Sequence, residues 1–229
     1  MSNRTSNRSS AGPSLGVGAA AGGLRARKKQ ATRAAISEVA TRLFVERGFD
    51  NVTVAEIADA ADVAKMTVFN YFPRKEDLFF DREEEGRTLV RDALAQRAPG
   101  EAPVAALRHL AHRLAEERHP FARFTPATAS FWRTVKHSAA LSARAREMRD
   151  ELVRDVGAML AEAVKRPRDD AHAELAAGLV MTAWIVAYAE GLRLQRRGGA
   201  AATLQRAFIA TIERGFAGVA AALQGTPYV

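Results

Sequence analysis

The segment Asn51–Leu78 constrains the fold of this chain more than any other part of its sequence. An apolar pattern over Thr53–Ala61 predicts a short helix, and Asp62 follows it at a tight turn. A second short helix is predicted over Ala64–Phe72, because Pro73 disfavours helical geometry in the residue before it. Two short helices joined by a tight turn are typical of a helix-turn-helix, which places its second helix in the major groove of DNA.

Local signals support this interpretation of the segment. Thr53 and Glu56 have the types and spacing of a capping box at the start of the first short helix. An amphipathic helix precedes the segment, and Gly48 is suited to end it in a left-handed conformation. The apolar stripe of that entry helix consists of Ile36, Val39, Ala40, Leu43 and Phe44.

Polar side chains on the second short helix are candidate contacts to bases. Thr67 and Asn70 lie three residues apart and therefore share one face of a helix. Asn can pair bidentately with adenine, and a Thr methyl can contact the methyl group of thymine. Val68, Phe69 and Phe72 are predicted to point into the core instead.

Other side chains nearby are candidate contacts to the DNA backbone. Lys65 lies near the start of the second short helix, and Tyr71 and Lys75 are placed to contact phosphate. The Thr53 hydroxyl could serve both its cap and a phosphate. The predicted DNA-binding residues are therefore Thr53, Lys65, Thr67, Asn70, Tyr71 and Lys75.

At these residues the chain resembles the tetracycline-repressor-like (TetR) family of transcription regulators. The motifs that carry the resemblance are Arg47-Gly48-Phe49, Thr53-Val54 with Ile57-Ala58, Thr67-Val68-Phe69-Asn70-Tyr71-Phe72 and Lys75-Glu76-Asp77-Leu78. The resemblance covers residues 30–80 and implies that the same positions contact operator DNA.

This chain departs from the family pattern at two positions. Asp62 stands where the family usually has Gly, and Asp tolerates left-handed geometry better than most residues. Ala64 stands where the family often has Ser, and loss of that helix cap costs about 0.5–2 kcal/mol. A recognition helix that is somewhat mobile without DNA is therefore expected.

Helical patterns continue through the remainder of the chain, so the predicted fold is all-α, with about nine helices. Residues 1–24 are predicted to be a disordered basic tail, 25–78 the three-helix DNA-binding domain, and 79–229 a regulatory and dimerisation bundle. A fourth helix, from Glu76 to Arg97, is expected to belong to both domains. The basic run Arg25, Arg27, Lys28 and Lys29 could contact DNA or could be a solvated run.

Aromatic residues of the second domain are candidates for an effector site. Phe131, Trp132, Trp184 and Tyr188 could line an apolar pocket, or they could simply pack in the core. The resemblance implies a small-molecule effector among these helices. The apolar run Leu175–Ala189 and the last helix are the predicted homodimer surface, in which two helices from each subunit form a four-helix bundle.

Several function classes have little support in the sequence. The chain has no cysteine, and no Gly-rich phosphate loop or nucleophile elbow is found. His109, His112 and Glu116 could share a helix face, but neighbouring charges favour a solvated surface over a metal site. We therefore expect no enzyme activity, no metal and no cofactor.

A net charge of +8 suits a polyanionic partner. The apolar run in the second domain is too short to span a bilayer, so a cytoplasmic protein without membrane contact is expected. The sequence predicts a homodimeric regulator, most simply a repressor that a small apolar effector releases from a palindromic operator. A sequence-tolerant basic DNA-binding protein and an all-helical enzyme are the alternatives.

Overall fold

The computed structural model describes the backbone of residues 17–229 and the side chains of residues 27–229. All regular structure in this part of the chain is helical, which confirms the all-α class. A 3-10 turn at Pro120–Ala122 accompanies the α-helices. The α-helices are α1 (Val17–Arg47), α2 (Val54–Ala60), α3 (Lys65–Tyr71), α4 (Lys75–Phe79), α5 (Glu83–Ala95), α6 (Pro103–Glu116), α7 (Pro126–His137), α8 (Ala139–Ala163), α9 (Ala171–Arg196) and α10 (Ala201–Ala222).

Helix α1 is longer at its N-terminal end than the sequence pattern indicated. It takes in residues 17–24, which were predicted to belong to a disordered tail, and no proline interrupts it up to Arg47. Residues 1–16 of the predicted tail lie outside the described residues. At the other end Gly48 has a φ of 81°, and its amide donates to the Phe44 carbonyl over 3.0 Å, which confirms the glycine cap.

The N-terminal head is built around its own apolar core. Helices α1 to α4 contribute Ile36, Phe44, Ile57, Val68 and Leu78, all of them buried. Val135 of α7 and Leu141 of α8 are buried in the same core. The head therefore packs around residues from both sides of residue 78, where the sequence places the domain boundary.

The continuous fourth helix predicted from Glu76 to Arg97 is wrong. The chain leaves helical geometry at Phe80, with φ −105° and ψ 47°, and α5 starts afresh at Glu83. Contacts from α1 account for the break, because Arg33 donates to the Asp81 carbonyl over 3.1 Å and Ser37 donates to the Asp81 carboxylate. Three glutamates in the first turn of α5 also favour a new N-terminus there.

Helix α9 lies at the centre of the second core, between α8 and α10. The Asp170 carboxylate accepts from the amides of His172 and Ala173 over 3.0 and 3.1 Å and so caps the start of α9. Helices α9 and α10 approach so closely that a Cβ atom at Gly215 would lie 2.3 Å from the Cβ of Ala183.

Helix α9 is also long and apolar enough to cross a membrane, by length and composition only. Its packing accounts for that composition, because a helix that is covered on two sides needs apolar residues around most of its circumference.

Candidate nucleic-acid interface

The first helix of the helix-turn-helix is fixed by the predicted capping box. The Glu56 amide donates to the Thr53 hydroxyl over 3.2 Å, and the Thr53 amide donates to the Glu56 carboxylate over 2.8 Å. The amide of Thr53 and the side chain of Arg47 hold the pKa of Glu56 down at about 2. The Thr53 hydroxyl also donates to the Glu56 carboxylate over 2.8 Å, so it can donate to a phosphate only by leaving Glu56.

The turn between α2 and α3 depends on a left-handed residue. Asp62 has a φ of 52°, as expected for the position where this chain lacks the usual glycine. The Val63 amide donates to the Ala58 carbonyl over 3.0 Å and closes the turn. Helix α3 then forms without a side-chain cap at Ala64, as the sequence predicts.

Helix α3 has a buried side and an exposed side. Val68 and Phe72 are buried in the core of the head, as predicted. The prediction that Phe69 points into that core is wrong, because 36% of the residue is exposed. Met66 is 69% exposed on the same helix. The sequence pattern missed this, because both residue types are common in cores.

The structure places only part of the predicted DNA-binding set on the exposed side of α3. Lys65 and Asn70 are exposed there, and Thr53 is exposed at the start of α2. Thr67 and Tyr71 are half-buried on the flank of α3. Of the two residues predicted to contact bases, Asn70 therefore lies on the exposed face of α3 and Thr67 lies on its flank.

Lys75 lies at the first position of α4 and packs on aromatic rings. Its Nζ atom is 4.2 Å from the ring centre of Phe49 and 6.0 Å from that of Phe44. Burial lowers the pKa of Lys75, although the carboxylates of Asp50 and Glu76 oppose the shift. The ammonium group is therefore held at the edge of the head rather than swinging free in solvent.

An ionic network that the sequence did not reveal joins the head to α8. The Nε of Arg144 donates to the Asp77 carboxylate over 2.8 Å, and its Nη1 contacts Glu151 over 3.1 Å. Asp77 also accepts from the Arg74 amide over 3.1 Å and so caps α4. Burial lowers the pKa of Arg144, but the hydrogen bonds to Asp77 and Glu151 raise it more, to a net value above its ordinary range.

The four predicted effector residues lie in one continuous series of aromatic contacts. Phe131 stacks on Phe79 of α4 with ring centres 4.5 Å apart. Trp132 meets Phe131 at 5.4 Å and Tyr188 at 6.2 Å. Trp184 joins the series through other rings rather than by direct contact with these residues.

Phe124 supplies the missing link in this aromatic series. Its ring centre lies 5.2 Å from that of Tyr188 and 5.7 Å from that of Phe208, and Phe208 meets Trp184 at 5.5 Å. A Cβ atom at Gly191 would lie 2.4 Å from the Phe124 ring, so the ring fits against α9 only because residue 191 is glycine. Two open grooves, of about 480 and 380 Å³, lie elsewhere on the described part of the chain, and neither is lined by these rings.

The histidines that could have suggested a metal site are engaged separately. His109 pairs with Glu101 at 2.8 Å and His112 pairs with Glu213 at 2.5 Å. Across the described residues, no group of three or more His, Asp or Glu side chains is placed to hold a metal ion.

The family model for bacterial regulatory proteins of the tetR family matches residues 36–81, which contain α2, the turn, α3 and α4. Over these residues the chain is similar to the TetR family. The match confirms the resemblance found in the sequence motifs of this segment.

Two relatives match parts of the chain that are short compared with their own length. The transcriptional regulator TcmR of Streptomyces glaucescens is 34% identical over 85 residues, which cover 37% of this chain and 38% of TcmR. LuxR of Vibrio harveyi is 46% identical over 43 residues, which cover 19% of this chain and 21% of LuxR. The matched part therefore spans well under half the length of either relative.

The structure of the Thermus thermophilus repressor FadR, in complex with lauroyl-CoA, covers more of the chain. It is 29% identical, with 82% of this chain and 92% of FadR covered and a TM-score of 0.46.

Proposed function

We propose that the protein is a cytoplasmic, homodimeric transcriptional regulator that binds a palindromic operator through α3 and is released from it by a small apolar effector. The exposed side of α3 carries this proposal. Lys65 and Asn70 stand on it, while Val68 and Phe72 anchor the opposite side in the core. A short helix held in this way, inside a TetR-family segment, suits insertion into the major groove.

Apolar exposure on α9 supports a homodimer. Leu175, Ile185 and Val186 are 46%, 44% and 52% exposed, and their spacing places them along one side of the helix. Small exposed residues on α10, among them Ala210, Ala217 and Ala221, would allow a second copy to approach closely. Helices α9 and α10 of one copy, together with the same helices of a second copy, would form a four-helix bundle. The two heads would then be related by the twofold axis of the dimer.

The aromatic series supports the proposal that an apolar effector binds there and that its binding affects the head. Trp132 and Tyr188 are partly buried among α7 and α9, and Phe131 next to them stacks directly on α4. A ligand that enters the series must move rings that touch the head, so the two states differ in head position. The effector shifts the equilibrium only by its difference in affinity for these states. Because Trp132 and Trp184 are the two tryptophans, their fluorescence reports entry directly.

Binding to its own upstream DNA tests the proposed function. Fluorescence anisotropy over a salt series compares that duplex with a scrambled duplex of equal length. A specific regulator prefers the upstream duplex by about a thousandfold or more. Equal, steeply salt-dependent binding to both duplexes would favour the sequence-tolerant DNA binder instead.

Two variants separate base contacts from phosphate contacts. Asn70→Ala is expected to lose about 1–3 kcal/mol and to relax the preference for one base pair. Lys75→Ala is expected to weaken binding to all sequences similarly and to lower the salt slope by about one unit. An unchanged salt slope would remove Lys75 from the phosphate contacts.

A further inference from the structure

The outer face of α3 is centred on apolar rather than polar side chains. A helix turns by about 100° per residue, so Lys65, Met66, Phe69 and Asn70 occupy one arc of about 140°. Met66 and Phe69 lie in the middle of that arc, about 60° apart, and Lys65 and Asn70 lie at its edges. Thr67 falls outside the arc, in agreement with its half-buried position.

The exposure of this pair is not accounted for by packing within the chain. In the described part of the head, the large apolar side chains with high exposure are Val45, Met66 and Phe69, and two of these three stand on α3. The Nζ atom of Lys65 lies 5.9 Å from the centre of the Phe69 ring. An apolar pair is therefore flanked by a positive charge on one side and by the Asn70 amide on the other.

Major-groove edges offer one kind of apolar group, the 5-methyl group of thymine. The same base pair presents adenine N6 and N7, which suit an asparagine amide. The charge of Lys65 complements the phosphates and the acceptor atoms of guanine beside such a base pair.

We propose that Met66 and Phe69 are specificity-determining residues that contact thymine methyl groups at the centre of each half-site. The inference deepens the proposed function and rests on it. It assigns an A·T core to each half-site, with Met66 and Phe69 on different methyl groups and Asn70 on an adjacent adenine.

Replacement of thymine by deoxyuridine removes only the methyl group and leaves every hydrogen-bonding atom in place. Each thymine of the footprinted upstream duplex is replaced singly, and binding is measured by fluorescence anisotropy at fixed salt. For wild-type protein, at least one replacement in each half-site is expected to weaken binding about fourfold, the value for one buried methyl group. No effect at any thymine, with the preference over scrambled DNA intact, would overturn the inference and leave the proposed function standing.

Protein variants show which side chain contacts which methyl group. Met66→Ala and Phe69→Ala are each expected to abolish the uracil effect at one position and to keep it at the other. Val45→Ala, a change at an exposed apolar residue of α1 outside the proposed contacts, serves as the control and is expected to retain both effects. Uracil effects of equal size in wild type and in both variants would overturn the assignment to these residues.

Two further readouts keep the outcomes distinct. Both side chains are exposed, so the variants are expected to show the wild-type circular dichroism spectrum. A wild-type protein without any preference for the upstream duplex would overturn the proposed function together with this inference.

Discussion

Replacing Arg144 by Met tests whether α8 holds the head in place through Asp77. The Arg144 side chain is 12% exposed and that of Asp77 is 17% exposed, and their contact measures 2.8 Å. Met keeps an apolar stem of similar length and removes the charge, so the change reports the ionic contacts more than the packing.

The expected loss of unfolding free energy is about 2–3 kcal/mol. A hydrogen bond to a charged group contributes about 1.5–3 kcal/mol when it is shielded from water, as the Asp77 contact is. The Glu151 contact adds about 0.2–1 kcal/mol at most, because 36% of that side chain is exposed and water screens it. The variant also removes the 3.6 Å contact between the Arg144 guanidinium and the Glu83 carboxylate.

Urea unfolding monitored by circular dichroism measures this loss, with Arg146→Met as the matched control. Arg146 is an exposed residue of α8, and its replacement is expected to change the free energy of unfolding by less than about 0.5 kcal/mol. A double-mutant cycle with Asp77→Asn is expected to give a coupling energy of about 1–2 kcal/mol. Equal effects of the two Met variants, or a coupling energy near zero, would refute the reasoning.

Three further changes test other parts of the structure. Gly215→Ala is expected to destabilise the chain by about 1–3 kcal/mol in urea unfolding, because the added methyl group collides with Ala183; Gly218→Ala, where a Cβ meets nothing within 4 Å, is the control. Glu56 has a folded-state pKa of about 2 against an ordinary value of 4.5, so its stabilising contribution is complete above pH 4.5 and is lost as the pH falls towards 2. As the pH falls from 4.5 towards 2, the free energy of unfolding of Glu56→Gln is therefore expected to decrease less than that of the wild type. If the two free energies decreased in parallel with pH, this prediction would be contradicted. Val186→Arg is expected to give monomers in analytical ultracentrifugation, and a persistent dimer would exclude this face of α9.

Local signals in the sequence predicted the frame of the head correctly. The capping box at Thr53, the left-handed Gly48 and the left-handed Asp62 each depend on residues within about four positions of one another. Such features can be predicted from the sequence because the residues that interact lie close together in the chain.

Features that depend on distant residues could not be predicted. The break between α4 and α5 arises because Arg33 and Ser37, more than forty residues earlier, bind Asp81. The outward position of Phe69 depends on how α3 rests on the head, and apolar periodicity does not distinguish a core ring from a ring that faces a ligand. The Asp77 and Arg144 contact likewise joins residues 67 positions apart.

The candidate contacts show the same division. Lys65 and Asn70 were predicted from residue type and helical spacing, and they lie on the exposed face. Met66 was missed because a thioether carries no polar signal. The contacts by which the Phe124 ring joins Tyr188 to Phe208 could not be predicted, because they connect α9 and α10 to a loop that is far away in sequence.

Hydroxyl-radical footprinting of the protein on its own upstream DNA tests the central claim most directly. A homodimer that inserts two copies of α3 into the major groove predicts two symmetric protected segments, with centres about 34–36 Å apart or a multiple of that distance. Uniform protection along the duplex, or no protection at any salt concentration, would contradict sequence-specific binding by this helix.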